Sequence, residues 1–108
     1  MGTIVSQDGC FEWEESKNNL NKTNHGFYFE EILAVFDDPF FLEAYDRDNS
    51  TFDEVRWKGI ASFEQRIYFF ISYTEQKGRT RIISARLAEP PEKEHYDENY
   101  KKQIAGYE

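Results

Sequence analysis

The chain is poor in the residues that most often betray a catalytic or metal centre. It holds one cysteine, Cys10, and two histidines, His25 and His95, in 108 residues. A lone cysteine excludes an intrachain disulfide and a thiolate cluster for zinc. Two histidines seventy positions apart lack metal-ligand spacing. Asp46, Asp48 and Asp53 fall close together without the glycine and terminal glutamate of a calcium loop, so no metal is expected. No glycine-rich phosphate loop, Gly-x-Ser-x-Gly elbow or dinucleotide fingerprint occurs, so no cofactor is expected either. No apolar run approaches the ~18 residues that cross a bilayer, and no basic stretch followed by an apolar one opens the chain. A cytoplasmic protein without membrane contact is the expectation. Positive charge is also scarce: 13 basic side chains stand against 21 acidic ones, a net charge of −8.

What is present is aromatic bulk and an uneven distribution of charge. Ten Phe, seven Tyr and two Trp can fill one core, and the length suits one domain spanning residues 1–108. Residues 55–88 carry seven basic side chains and two acidic ones, a net of +5, which leaves −13 for the remainder. Within that segment Arg79-Thr80-Arg81-Ile82-Ile83-Ser84-Ala85-Arg86 reads as a strand with a β-branched centre and guanidinium groups toward both ends. Cations confined to one face of an acidic protein suit a phosphate backbone, and the contact points to RNA. The competing reading is a solvated sheet face.

The expected element order is βααββββα, an α+β fold with a small antiparallel sheet packed by helices. Cys10–Trp13 alternates like a strand, and residues 16–24 form a weakly amphipathic helix closed by Gly26. Phe29, Ile32, Leu33 and Phe36 fall at i, i+3, i+4 and i+7, the pattern of a core-facing helix that Asp37-Asp38-Pro39 ends. Strands follow at 40–45, 54–61, 66–74 and 79–85, with a hairpin turn at Gln76-Lys77-Gly78. Pro90-Pro91 opens a last helix over 92–103. In the 66–74 strand, Ile67, Phe69, Ile71 and Tyr73 share one face.

Phe11-Glu12-Trp13-Glu14, Lys17, Asn21, His25-Gly26, Phe29-Glu30-Glu31, Val35-Phe36-Asp37-Asp38-Pro39, Glu54, Arg56, Gly59, Tyr73-Thr74, Arg81 to Arg86, Ala88, Glu94 and Tyr96 together resemble the BrnT family. The resemblance runs in order over residues 10–100 and implies a RelE-like ribonuclease toxin of a type II toxin–antitoxin pair. It also implies a small DNA-binding antitoxin, BrnA, through which alone the toxin meets DNA, and a possible dimer within the complex. The chain departs from the family at Tyr28, where a serine commonly caps the second helix, at Asp48-Asn49-Ser50-Thr51, which lacks a histidine, and at Gln76, which replaces an arginine.

RNA cleavage through the 2′-hydroxyl requires a proton acceptor, a donor to the 5′ oxygen, and cations for the charge developing on phosphorus. RelE-like toxins, which this chain resembles, rely on cations and tyrosine more than on paired histidines. Arg56, Arg81 and Arg86 are the expected phosphate clamps, and Glu54 the group that orients one of them. Strict alternation sets Arg81 and Arg86 on opposite faces, so both can reach one substrate only across a bulge. His25 is the acid–base candidate; the alternative is a dipole-compensating residue at a helix C-terminus. Lys58, Lys77 and Arg79 complete the expected RNA contacts, with Tyr73 stacking a base or else filling the core. Against the ribonuclease stands a second reading, a catalytically weak homologue that serves as a binding module in a DNA-binding repressor complex.

Overall fold

The structure, a computed structural model, describes residues 2–106. A six-stranded mixed sheet runs in the order β1-β2-β6-β5-β4-β3. Its strands are β1 (Thr3–Val5), β2 (Phe11–Glu14), β3 (Leu42–Tyr45), β4 (Arg56–Phe63), β5 (Ile67–Gln76) and β6 (Arg79–Leu87). Two α-helices accompany it, α1 (Glu15–His25) and α2 (Pro90–Ala105). No helix among the described residues is long and apolar enough to cross a membrane.

The α+β architecture agrees with the sequence reading, and four details refine it. Thr3-Ile4-Val5, a β-branched run, adds a first strand antiparallel to β2. The turn between them is built by Asp8, whose Oδ1 accepts from the Ser6 hydroxyl (2.6 Å) and the Cys10 N–H (2.9 Å), and by Gly9 at φ 76°. Those hydrogen bonds, the Ser6 contact foremost, hold the Asp8 carboxyl below its ordinary value. The sheet is not wholly antiparallel, because β2 pairs β6 in parallel. Finally, residues 29–37 form two 3₁₀ turns, Phe29–Glu31 and Leu33–Asp37, rather than one α-helix. They bury Phe29, Ile32 and Val35, a spacing of three. The segment is short, rich in aromatic and β-branched residues, and enclosed between Tyr28 and Pro39, so an α-helical nucleus gains little. Tyr28 offers no side-chain cap; instead Glu31 reaches back to accept the Tyr28 N–H at 2.8 Å.

The core lies on one face of the sheet. Trp13, Ala61, Phe69, Ile71, Tyr73, Ile82 and Ala85 point toward Phe29, Ile32 and Val35, with Phe11, Phe27, Phe36, Phe41 and Trp57 at its margin. Gly59 lies flat under the Phe41 ring, where a Cβ would collide with the aromatic edge. α1 docks with amides rather than an apolar stripe. Asn18 accepts the Phe29 N–H (2.7 Å) and donates to Glu30 (2.8 Å); Asn21 accepts the Ala85 N–H and donates to the Phe27 carbonyl, both at 3.0 Å. Asn21 thus satisfies the edge of β6 beyond the last residue paired with β2. Gly26 ends α1 in the left-handed region at φ 90°.

Candidate nucleic-acid interface

β5 and β6 pair Ser72 with Ser84 and Tyr73 with Ile82, so β6 carries one extra residue, Ile83. That bulge changes the phase of everything after it. Ile82 and Ala85 both enter the core, and Arg81, Ser84 and Arg86 therefore share the outer face. Register places Glu12 of β2 beside Arg81, and Thr74, Ser72 and Phe70 of β5 beside Arg81, Ser84 and Arg86. Arg56, Lys58 and Ile60 of β4 continue the same face. The cations singled out in the sequence on β4 and β6 are thus gathered on one side of the sheet.

α2 covers one end of this face. Tyr96, 1% exposed, donates to Asp38 Oδ2 at 2.6 Å and lies 2.9 Å from the Ser62 hydroxyl, while Asp38 also accepts the N–H groups of Phe40 and Ser62. Burial, and then the Asp38 carboxylate, push the Tyr96 hydroxyl far above the usual tyrosine range. Burial and Asp97 raise Tyr68 beside it. Arg86 forks onto Glu92 of α2 (2.8 and 2.9 Å) and lies 4.3 Å above the centre of the Phe70 ring. The hydrogen bonds to Glu92 raise Arg86 further, and the same contacts lower Glu92. Asp38 therefore does more than end a helix. Its side chain ties the β3–β4 region to α2, a role that no local sequence signal carried.

The other end of the face opens into a polar cleft of about 510 Å³, lined among others by Glu12, Glu54, Lys77, Arg79 and Arg81, with Lys17 of α1 at its margin. Each arginine here leans on a carboxylate. Arg81 pairs with the buried Glu12, Arg79 stands 3.9 Å from the same carboxylate, and Arg56 Nε meets Glu54 Oε1 at 2.7 Å. Lys77 and Gly78 form the β5–β6 turn at φ 52° and 82°, which sets the Lys77 ammonium at the exposed tip.

Two expected contacts are placed elsewhere. Tyr73 is a core residue, 3% exposed, on the opposite face; its hydroxyl donates to Glu43 and its ring packs on Phe36 and Phe41. Burial, then Glu43, raises it far above the tyrosine range. In this position it cannot stack a base. His25 is exposed in the last turn of α1 and lines a separate cavity of about 200 Å³ with Ile83 and Ser84. Lys17 borders both this cavity and the cleft. Among the described residues, no three side chains of the His, Cys, Asp and Glu types converge as a metal site.

A family model described as "Ribonuclease toxin, BrnT, of type II toxin-antitoxin system" matches residues 13–92. No curated protein sequence matches. In fold, the chain resembles the crystal structure of the Brucella abortus ribonuclease toxin BrnT, with 22% identity and a TM-score of 0.53 over 71% of this chain and 92% of that one. The family match begins within β2, takes in β3 through β6, ends in the first turn of α2, and spans most of the chain. The chain belongs to the BrnT family of ribonuclease toxins of type II toxin–antitoxin systems.

Proposed function

We propose that the chain cleaves RNA internally and without a metal ion, in the cytoplasm, at the polar cleft between β2, β6 and the β5–β6 turn, and so inhibits translation until an antitoxin covers the cleft. The observation that carries this reading is the convergence of Glu54, Lys77, Arg79 and Arg81 on one cavity, with Arg56 bound to Glu54 at its side. Arg81 and Arg79 hold the scissile phosphate. Glu54, oriented by Arg56, accepts the proton of the 2′-hydroxyl as its oxygen attacks phosphorus, and the bond to the 5′ oxygen breaks as Lys77 donates a proton to it. Lys58 and Arg86 bind phosphates further along the strand. His25, outside the cleft, meets only RNA that extends past Lys17, so its acid–base role is the weaker part of the site. Expected partners are RNA and a BrnA-like antitoxin, with DNA reached through the antitoxin and a dimer formed in that complex.

The test is cleavage of a short RNA by the purified chain in the presence of a chelator. Products should end in 2′,3′-cyclic phosphate, and Glu54→Gln should reduce the rate about 10²–10⁴-fold. An RNA left intact by folded protein would favour the second reading, a binding module in a repressor complex. Gln76 and the self-paired arginines are the features that speak for it.

A further inference from the structure

Beyond the cleft, on the same outer face, a smaller cavity of about 250 Å³ lies between the sheet and α2. Leu42 and Ala44 of β3, Ile60 of β4 and Phe70 of β5 form its apolar surface, and Lys58 and His95 supply its polar groups. The volume falls just under the roughly 300–1,000 Å³ that holds a drug-sized ligand, so a single planar heterocycle fits its scale. Two cations stand at it, one of them already forked onto Glu92. Lys58 belongs to the wall itself, and Arg86 stacks on the Phe70 ring.

Resting on the ribonuclease reading above, we propose that this cavity is a nucleobase subsite: one unstacked base of the RNA enters between β3 and α2 while Lys58 and Arg86 hold the phosphates on either side. Apolar and aromatic walls accept the faces of any base, and the convergent His95 and Lys58 give edge contacts that distinguish one base from another. Sequence-tolerant stacking thus acquires a preference. The wall has two origins. Lys58, Ile60 and Phe70 lie within the family match at residues 13–92, whereas His95 lies beyond it, on α2. Base preference is therefore set by a residue on α2, just beyond the matched residues.

The experiment uses fluorescently labelled octanucleotides with 2′-fluoro sugars, which lack the attacking hydroxyl, as homopolymers of each base and as an abasic octamer with the same number of phosphates. Affinities are read by anisotropy for the full chain and for Ala44→Ile and His95→Ala, both at exposed positions, with melting temperature as the folding control. The wild type should bind at least one homopolymer about tenfold more tightly than the abasic chain. Ala44→Ile, which narrows the cavity, should lose that tenfold advantage and keep the abasic affinity. His95→Ala should flatten the differences among the four bases. An unchanged intact-to-abasic ratio in Ala44→Ile would overturn the subsite and leave RNA binding at the cleft in place. The same unchanged ratio with loss of antitoxin binding would assign the cavity to the protein partner instead. If no oligonucleotide binds the folded wild type at any salt concentration, the ribonuclease reading fails first and the subsite with it.

Discussion

Removing Arg81 also strands a carboxylate. From sequence, a partly exposed strand arginine contributes on the order of 0–1 kcal/mol. In the fold its partner Glu12 is only 7% exposed, and a buried carboxylate without its cation carries a larger penalty. Arg81→Ala is accordingly expected to cost about 1–3 kcal/mol, softened by Arg79 near the same carboxylate. Thermal melts should show a loss of several degrees. Adding Glu12→Gln should recover most of that stability without restoring cleavage, and a double variant that cleaves normally would remove Arg81 from the chemistry. Glu12→Gln alone should raise RNA affinity several-fold, because the guanidinium it held is released to phosphate. At this scale the cations were legible in the sequence, since charge segregates visibly. Their carboxylate partners were not, because Glu12 and Arg81 are 69 positions apart and meet only through the parallel pairing. Asn18 and Asn21 were equally silent, two polar residues on a polar helix that carry its docking.

Among the elements, α2 depends on charge as much as on packing. The Arg86 contacts hold the Glu92 carboxyl below its ordinary value near 4.5. A carboxyl lowered in the folded protein adds stability that is complete above the unfolded value and disappears as pH falls through the folded one. Melting temperature should therefore decline below about pH 4.5, and Glu92→Gln should flatten part of that decline while lowering stability at neutral pH. An identical acid limb in the variant would show that other carboxyls govern it. The proline pair made the start of this helix readable, and the Lys77-Gly78 turn likewise announced its hairpin. The 3₁₀ turns did not announce themselves. Apolar spacings of three and four overlap in so short a segment, and Val35, not Phe36, takes the buried third position.

The molecule as a whole is an acid with a cationic segment. An antitoxin that blocks RNA must cover the +5 segment, and steering to it weakens with salt. Association should slow as ionic strength rises, and reversing charge at Arg56 and Arg81 together should weaken the complex more than reversal at Lys101 and Lys102. Equal losses across a salt series would mean that the partner binds elsewhere. Fold class and most strand positions were readable from periodicity, and the family from its ordered motifs. The parallel β2–β6 contact was not, since strand order is decided by where the core closes, and residues 15–78 separate the two strands.

Ile83 has a consequence for chain length. Arg81 and Arg86 are an odd number of residues apart, and in an unbroken pleat odd spacing means opposite sides; the additional residue converts that parity. Deleting Ile83 should restore an unbroken pleat in which Ile82 and Ala85 stay in the core opposite Tyr73 and Ile71, and Arg81, Ser84 and Arg86 stay on the outer face. Side-chain replacements along β6 would alter contacts one at a time, whereas a further residue inserted after Ile83 must widen the bulge or reassign every residue beyond it to the other side. A deletion variant that failed to fold would show instead that the bend the bulge gives β6 is itself required. The expected result is a deletion variant that melts as one cooperative unit and an inserted one with a broadened thermal transition, because this strand encodes its outer face in a count of residues.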